Sequence, residues 1–376
     1  MFKFRRYILL FFLGNLSLFF IICAFEWIVD PFCIFHKHYF EWQRYILPEV
    51  LTNLGQIETF LKRTQDYDTI LISNSLMKNT YARDIAFSVK SNKKALKLCL
   101  PGAFPKEIDF MVRIIAKNQF VKNIILCFDT CQFSYPAHTP HWYRKFPYSL
   151  YNNKYLIFFS YLNLKHSFKS LLLKSYEPES SFKDLDSLYF YFNFSYIKKK
   201  RVEFLSDKHI NDLKKCFHLD LNNFDSIYCN TDFSSIDIHL MPLLKENPNI
   251  NFYIPIMPYS ILHWGTNRGE KIDTAFSLQR YLVKKCKNFN NVKIFGFFDC
   301  NFVVNIANYQ DDIHFHPNVN QYILYCIRNN IHVLNKENFD NYEKNSIKNF
   351  KTFKFRDHYD LNEDIDSLQY IIESNN

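Results

Sequence analysis

Glycine is scarce in this chain, with 6 residues in 376. Neither a Gly-x-Gly-x-x-Gly turn nor a Gly-x-x-x-x-Gly-Lys loop can be written anywhere, so dinucleotide and P-loop nucleotide binding lose their sequence basis. Paired cysteines are missing too. The 10 Cys are scattered without a Cys-x-x-Cys pair, which supports neither a zinc ribbon nor a thioredoxin-like motif. Cys127 and Cys131 come nearest, and their spacing suits one helical turn better than a metal knuckle. Concentrated basic charge is also lacking. The formal charge is +9, but only Lys198 to Arg201 forms a cluster, so nucleic acid is not an expected partner.

What is abundant is aromatic residues, 41 Phe and 25 Tyr. A bias spread over the whole protein removes single aromatic side chains as functional signals. The first 30 residues carry the clearest physical pattern. Lys3, Arg5 and Arg6 precede an apolar run from Tyr7 to about Val29, broken by Asn15, Ser17 and Glu26. About 20 such residues cross a hydrocarbon layer. Positive charge before the run, with Glu26 and Asp30 at its far end, predicts a cytoplasmic amino terminus and an extracytoplasmic body. The rival is a cleaved signal peptide. Against it, Ile22 stands before Cys23 where a lipoprotein site needs a small residue, and no Ala-x-Ala follows. The expectation is an uncleaved single-pass anchor over 1–30, followed by a juxtamembrane connector and helix over 31–65.

From residue 66 the pattern alternates. Short continuous apolar runs at 68–73, 95–100, 121–129, 250–257 and 291–297 suit strands buried on both faces. Amphipathic segments at 105–119, 235–247 and 270–288 lie between them. This rhythm predicts an α/β domain over 66–358, a parallel sheet flanked by helices and joined by right-handed crossovers. It is interrupted by a helical insertion at about 130–232 and followed by a polar tail over 359–376.

In an open parallel sheet, sites lie beyond the carboxyl ends of the strands. Those ends carry Ser73-Asn74-Ser75, Pro101-Gly102-Ala103, Asp129-Thr130 and Pro258-Tyr259-Ser260. Beyond the fifth run, Asp311 stands three residues before His314, and Pro317 opens a helix. A hydroxyl nucleophile needs an imidazole to take its proton and a carboxylate to hold that imidazole's tautomer. Ser75 therefore reads in two ways, as a helix cap or as a nucleophile. Asp311 with His314 reads as a surface turn or as the partner pair. His314 and His316 share one face if that segment is a strand, but no further metal ligand can be placed, so no metal is expected. Asn230 and Asp232 read as a cap before the helix at 235.

The collinear order of Ser75, Gly102 and Asp311-x-x-His314 resembles the SGNH (GDSL-like) hydrolase superfamily, over about residues 66–130 and 250–330. With the anchor, it is similar to the extracytoplasmic proteins of that kind in surface-polysaccharide O-acetylation and teichoic-acid D-alanylation. The resemblance implies a flavodoxin-like three-layer fold. It implies Ser75 as nucleophile, His314 as base and Asp311 as its orienting acid. The amides of Ser75 and Gly102 would serve in an oxyanion hole, and Asn74, Asp129, Tyr259 and Ser260 would line the oxyanion and substrate region.

Two departures stand out. Ser73 occupies the pattern's Gly, and Asp129 falls near the usual Asn donor, where a carboxylate repels a developing oxyanion unless protonated or turned away. The implied activity is an esterase or O-acetyltransferase acting on a surface glycan, with a membrane-bound acyltransferase as partner and no cofactor. The alternative is a non-catalytic accessory protein that binds a surface polysaccharide or a membrane partner.

Overall fold

The computed structural model describes residues 2–30, 57, 60–61, 63–139, 164–165, 167–168, 202–219, 221, 231–266 and 271–355. Most of the expected connector at 31–65, much of the insertion at 130–232 including Lys198–Arg201, and the tail at 359–376 lie outside them. The chain divides into two compact units: residues 1–62 with 144–185, and residues 63–143 with 186–376.

In the first unit, α1 (Phe2–Val29) is one continuous helix. Its stretch Phe4–Val29 is long and apolar enough to cross a membrane. Two of its polar residues turn back on the helix: Asn15 donates to the Phe11 carbonyl at 2.7 Å and Ser17 to the Leu13 carbonyl at 2.9 Å. Bonding four residues back satisfies side chains that hydrocarbon would leave without partners.

The second unit is built on a sheet whose strands have no polar face. In β1 (Tyr67–Ser73), Ile70, Leu71 and Ile72 are fully buried, and β2 (Lys94–Cys99) is buried from its second residue onward. Each such aliphatic side chain contributes about 1.5–3 kcal/mol on burial. β3 (Asn123–Leu126), β4 (Asn251–Pro255), β5 (Val292–Phe295) and the two-residue β6 (Val333–Leu334) complete the sheet. The order is β2-β1-β3-β4-β5-β6; β1 to β5 are parallel, and β6 runs antiparallel to β5. The five parallel strands match the five apolar runs. A sixth strand was not expected: two residues on a sheet edge leave no periodicity to read.

The order reverses once, between β1 and β3, and right-handed crossovers then put the connecting helices on opposite faces. α2 (Ala82–Ser88), between β1 and β2, packs with those strands and with the later helix α9 (Pro317–Asn329). α9 leads into β6. On the other face lie α3 (Pro105–Ile115), the π-helical turn Ile236–Leu240 continuing into α6 (Met241–Glu246), and α8 (Ile272–Cys286). Short helices α4 (Thr130–Phe133) and α7 (Ile261–Gly265) start just beyond β3 and β4. α5 (Asp207–Cys216) belongs to the insertion, and α10 (Phe339–Lys351) packs on α8. Asp232 accepts the Ser234 amide at 2.7 Å, the turn expected before the helix at 235.

Candidate active site

β1 ends at Ser73 and the chain turns at once. Asn74 accepts the Leu76 amide at 3.0 Å and so caps the 3-10 turn Ser75–Met77. Capping by Asn74 frees Ser75 from that duty. Ser75 instead stands at the first position of the turn, where a backbone N–H has no helical acceptor. Its hydroxyl lies 2.9 Å from His314 Nε2.

His314 is held by a small hairpin. Tyr309 pairs with Phe315, the Gln310 amide donates to the His314 carbonyl at 2.9 Å, and the His316 amide to the Asn308 carbonyl at 2.8 Å. At its tip Asp311 Oδ1 accepts the amides of Ile313 and His314, while Oδ2 lies 2.8 Å from His314 Nδ1. Burial pushes the Asp311 carboxyl up, but the hydrogen bond and charge of His314 and the two amides outweigh it and hold the carboxyl below its ordinary value. The His314 and Asp311 side chains keep 25% and 46% of their exposure, so solvent reaches them. Ser75, His314 and Asp311 are thus joined in hydrogen-bond sequence. His316 turns elsewhere and caps α9 through Nδ1, accepting the Asn318 amide at 3.3 Å.

The turn and its surroundings are stitched across the switch point between β1 and β3. Asn74 Nδ2 donates to Asp129 Oδ2, and Tyr259 donates to Asp129 Oδ1 at 2.7 Å. The Cys131 and Gln132 amides also donate to Oδ1 as Asp129 caps α4. These four donors hold the Asp129 carboxylate to the Ser75 turn, to Tyr259 and to the start of α4. Asn74, Asp129 and Tyr259 are each about 95% buried. Ser260 corrects the expectation that it faces a substrate. It is fully buried, its hydroxyl accepts the Leu262 amide at 3.3 Å to cap α7, and its own amide donates to the Asp312 carbonyl.

Gly102 lies in the loop after β2 at φ 62°, the left-handed region that costs an L side chain about 1–2 kcal/mol. Gly102→Ala is expected to lower stability by about that amount, read as a drop in the chemical-denaturation midpoint. An unchanged midpoint would mean the loop relaxes without strain.

Two supports escaped sequence reasoning. Lys97 is buried on β2 and donates to the Lys78 and Thr80 carbonyls at 2.9 and 2.8 Å, pinning the segment that leaves the Ser75 turn. Its signal was visible: a lysine inside the apolar run ALKLCL needs buried acceptors. The second support is buried contact of Cys131 Sγ with His263 Nε2 at 3.4 Å and of His263 Nδ1 with Asp312 Oδ2 at 3.5 Å. It ties α4 and α7 to the loop that carries Asp311, and nothing in residue spacing announces it. No protein-family model, no curated protein and no solved structure matches the chain, so the chemistry of the site rests on its own geometry.

Proposed function

We propose that this chain is a membrane-anchored, extracytoplasmic SGNH-like enzyme that cleaves or transfers ester-linked acyl groups of a surface glycan. The observation that carries the reading is the unbroken chain of contacts from Ser75 Oγ through His314 to Asp311. It forms at the carboxyl ends of parallel strands beside a switch point, where open α/β sheets hold their ligands.

In this reading, Ser75 Oγ attacks the ester carbonyl as His314 Nε2 takes its proton. Asp311 holds the proton on Nδ1 and stabilises the imidazolium that forms. The amides of Ser75 and Gly102 receive the tetrahedral oxyanion, a role worth several kcal/mol per donor. His314 then returns the proton to the departing sugar oxygen, leaving an acyl-Ser75. Water or an acceptor hydroxyl, deprotonated by His314, attacks that ester and releases the serine. Lys3, Arg5 and Arg6, at the start of α1 and before its apolar run, support an orientation with the site outside the cytoplasm. A membrane-bound acyltransferase is the partner this arrangement suits.

The test is covalent capture. The full-length protein in detergent is treated with a fluorophosphonate that traps activated serines and is weighed intact, with Ser75→Ala as the control. One adduct per chain, absent from the variant, is the expected result. Absence of any adduct on folded protein would remove the catalytic reading and favour a glycan-binding accessory role.

A further inference from the structure

A second cluster of chemically competent side chains lies at the edge of the sheet, where β5 leaves and β6 returns. Beyond β5 the chain runs through Gly296, Phe297 and Phe298 to Asp299 and Cys300. His332 stands directly before β6, and its carbonyl accepts the Gly296 amide at 3.1 Å. The antiparallel pairing of β5 with β6 therefore brings together groups 32 residues apart in sequence.

Cys300 Sγ lies 3.6 Å from His332 Nε2 and 3.9 Å from Asp299 Oδ1, and Asp299 Oδ1 lies 4.0 Å from His332 Nδ1. One donor atom from each of the three falls within 4.8 Å of the others. A tetrahedral ion with arms of about 2.3 Å to sulfur and about 2.1 Å to nitrogen or oxygen needs donors about 3.6 Å apart. Among the described residues, no lysine or arginine pairs with Asp299. The surroundings are rigid. The Phe298 amide donates to the Tyr342 hydroxyl at 3.2 Å, and Asn349 Nδ2 donates to the Phe298 and Cys300 carbonyls. A Cβ on Gly296 would meet Leu334 and Tyr342 at 2.5 and 2.7 Å, so the backbone approaches as closely as it can. His332 itself sits at φ 60°, a left-handed conformation that a non-glycine residue keeps only when its surroundings hold it.

We propose that Asp299, Cys300 and His332 form a site for one divalent cation of the zinc class that fastens the end of β5 to the start of β6. The thiolate and imidazole select such an ion over magnesium or calcium, whose sites are built from oxygen. Three protein donors leave a fourth corner for water. The Tyr322 hydroxyl, 2.9 Å from His332 Nε2, is an outer-shell group that orients the imidazole and leaves Nδ1 to face the ion. Among the described residues, none of these four groups bonds Ser75, His314 or Asp311, so the site is distinct from the candidate active site.

The probe is cobalt(II) alone, added to full-length protein in detergent after chelation and dialysis. The expected result is a near-ultraviolet thiolate-to-cobalt absorption and intense visible bands of four-coordination, saturating at about one equivalent and displaced by zinc. Cys300→Ser should abolish the thiolate band, and the near-isosteric Asp299→Asn should weaken binding at least about ten-fold. No thiolate band on the folded wild-type protein would overturn the proposal. So would a band that survives Cys300→Ser, or cobalt affinity unchanged in Asp299→Asn.

Discussion

Asp311→Asn is expected to lower turnover of an activated aryl ester by about four orders of magnitude while the protein stays folded. Asn Oδ1 can still accept the Ile313 and His314 amides, so the turn keeps its shape. The change falls on the other atom. Where Oδ2 now faces His314 Nδ1 at 2.8 Å, the variant presents an N–H, and Nδ1 must become the acceptor. The imidazole proton then sits on Nε2, 2.9 Å from the Ser75 hydroxyl, and the serine has no base. Steady-state kinetics of the two proteins side by side check this. A fall of less than about ten-fold would mean that Asp311 is a turn residue and not the orienting acid.

The second large effect concerns Lys97 and its pH dependence. Burial, with the charge of Lys78 adding to it, lowers the Lys97 ammonium from the ordinary 10.5 to about 8. Between those values the unfolded chain binds more protons than the folded one, so stability attributable to Lys97 rises with pH. The cost of burying the charge is fully present below pH 8 and is relieved by pH 10.5. It amounts to about 3 kcal/mol at 1.36 kcal/mol per unit. Lys97→Met removes the titration along with the two bonds to the Lys78 and Thr80 carbonyls. Denaturation curves from pH 7 to 10.5 should show the wild type gaining about 3 kcal/mol relative to the variant. Parallel curves would mean that Lys97 keeps its ordinary affinity for protons.

Much of the architecture was legible because its strands are buried on both faces and read as unbroken apolar runs. β1, YDTILIS, begins one residue before the apolar run expected at 68–73, and β5, VKIF, falls inside the run expected at 291–297. Asp311 and His314 were legible for a local reason: one turn holds both, so their spacing survives in the linear string. Ser260 was misread because a cap and a substrate-facing hydroxyl look alike until burial is known. The Asp299, Cys300 and His332 cluster was not legible at all, since it depends on the pairing of β5 with the two-residue β6. His263 reached Cys131 and Asp312 by the same kind of long-range convergence.

The separation of 239 residues between Ser75 and His314 has a consequence for the life of the chain during its synthesis. Synthesis runs from the amino terminus, so α1 and the Ser75 turn emerge early. The hairpin bearing Asp311 and His314 emerges only after β5, with most of the polypeptide already made. Until that hairpin docks, Ser75 lacks its contact with His314, so under the proposed function a nascent or prematurely terminated chain has no activated serine. The long loop closure that slows folding would, under the proposed function, also act as a check on completeness, since the Ser75–His314 contact forms only once the chain has passed β5.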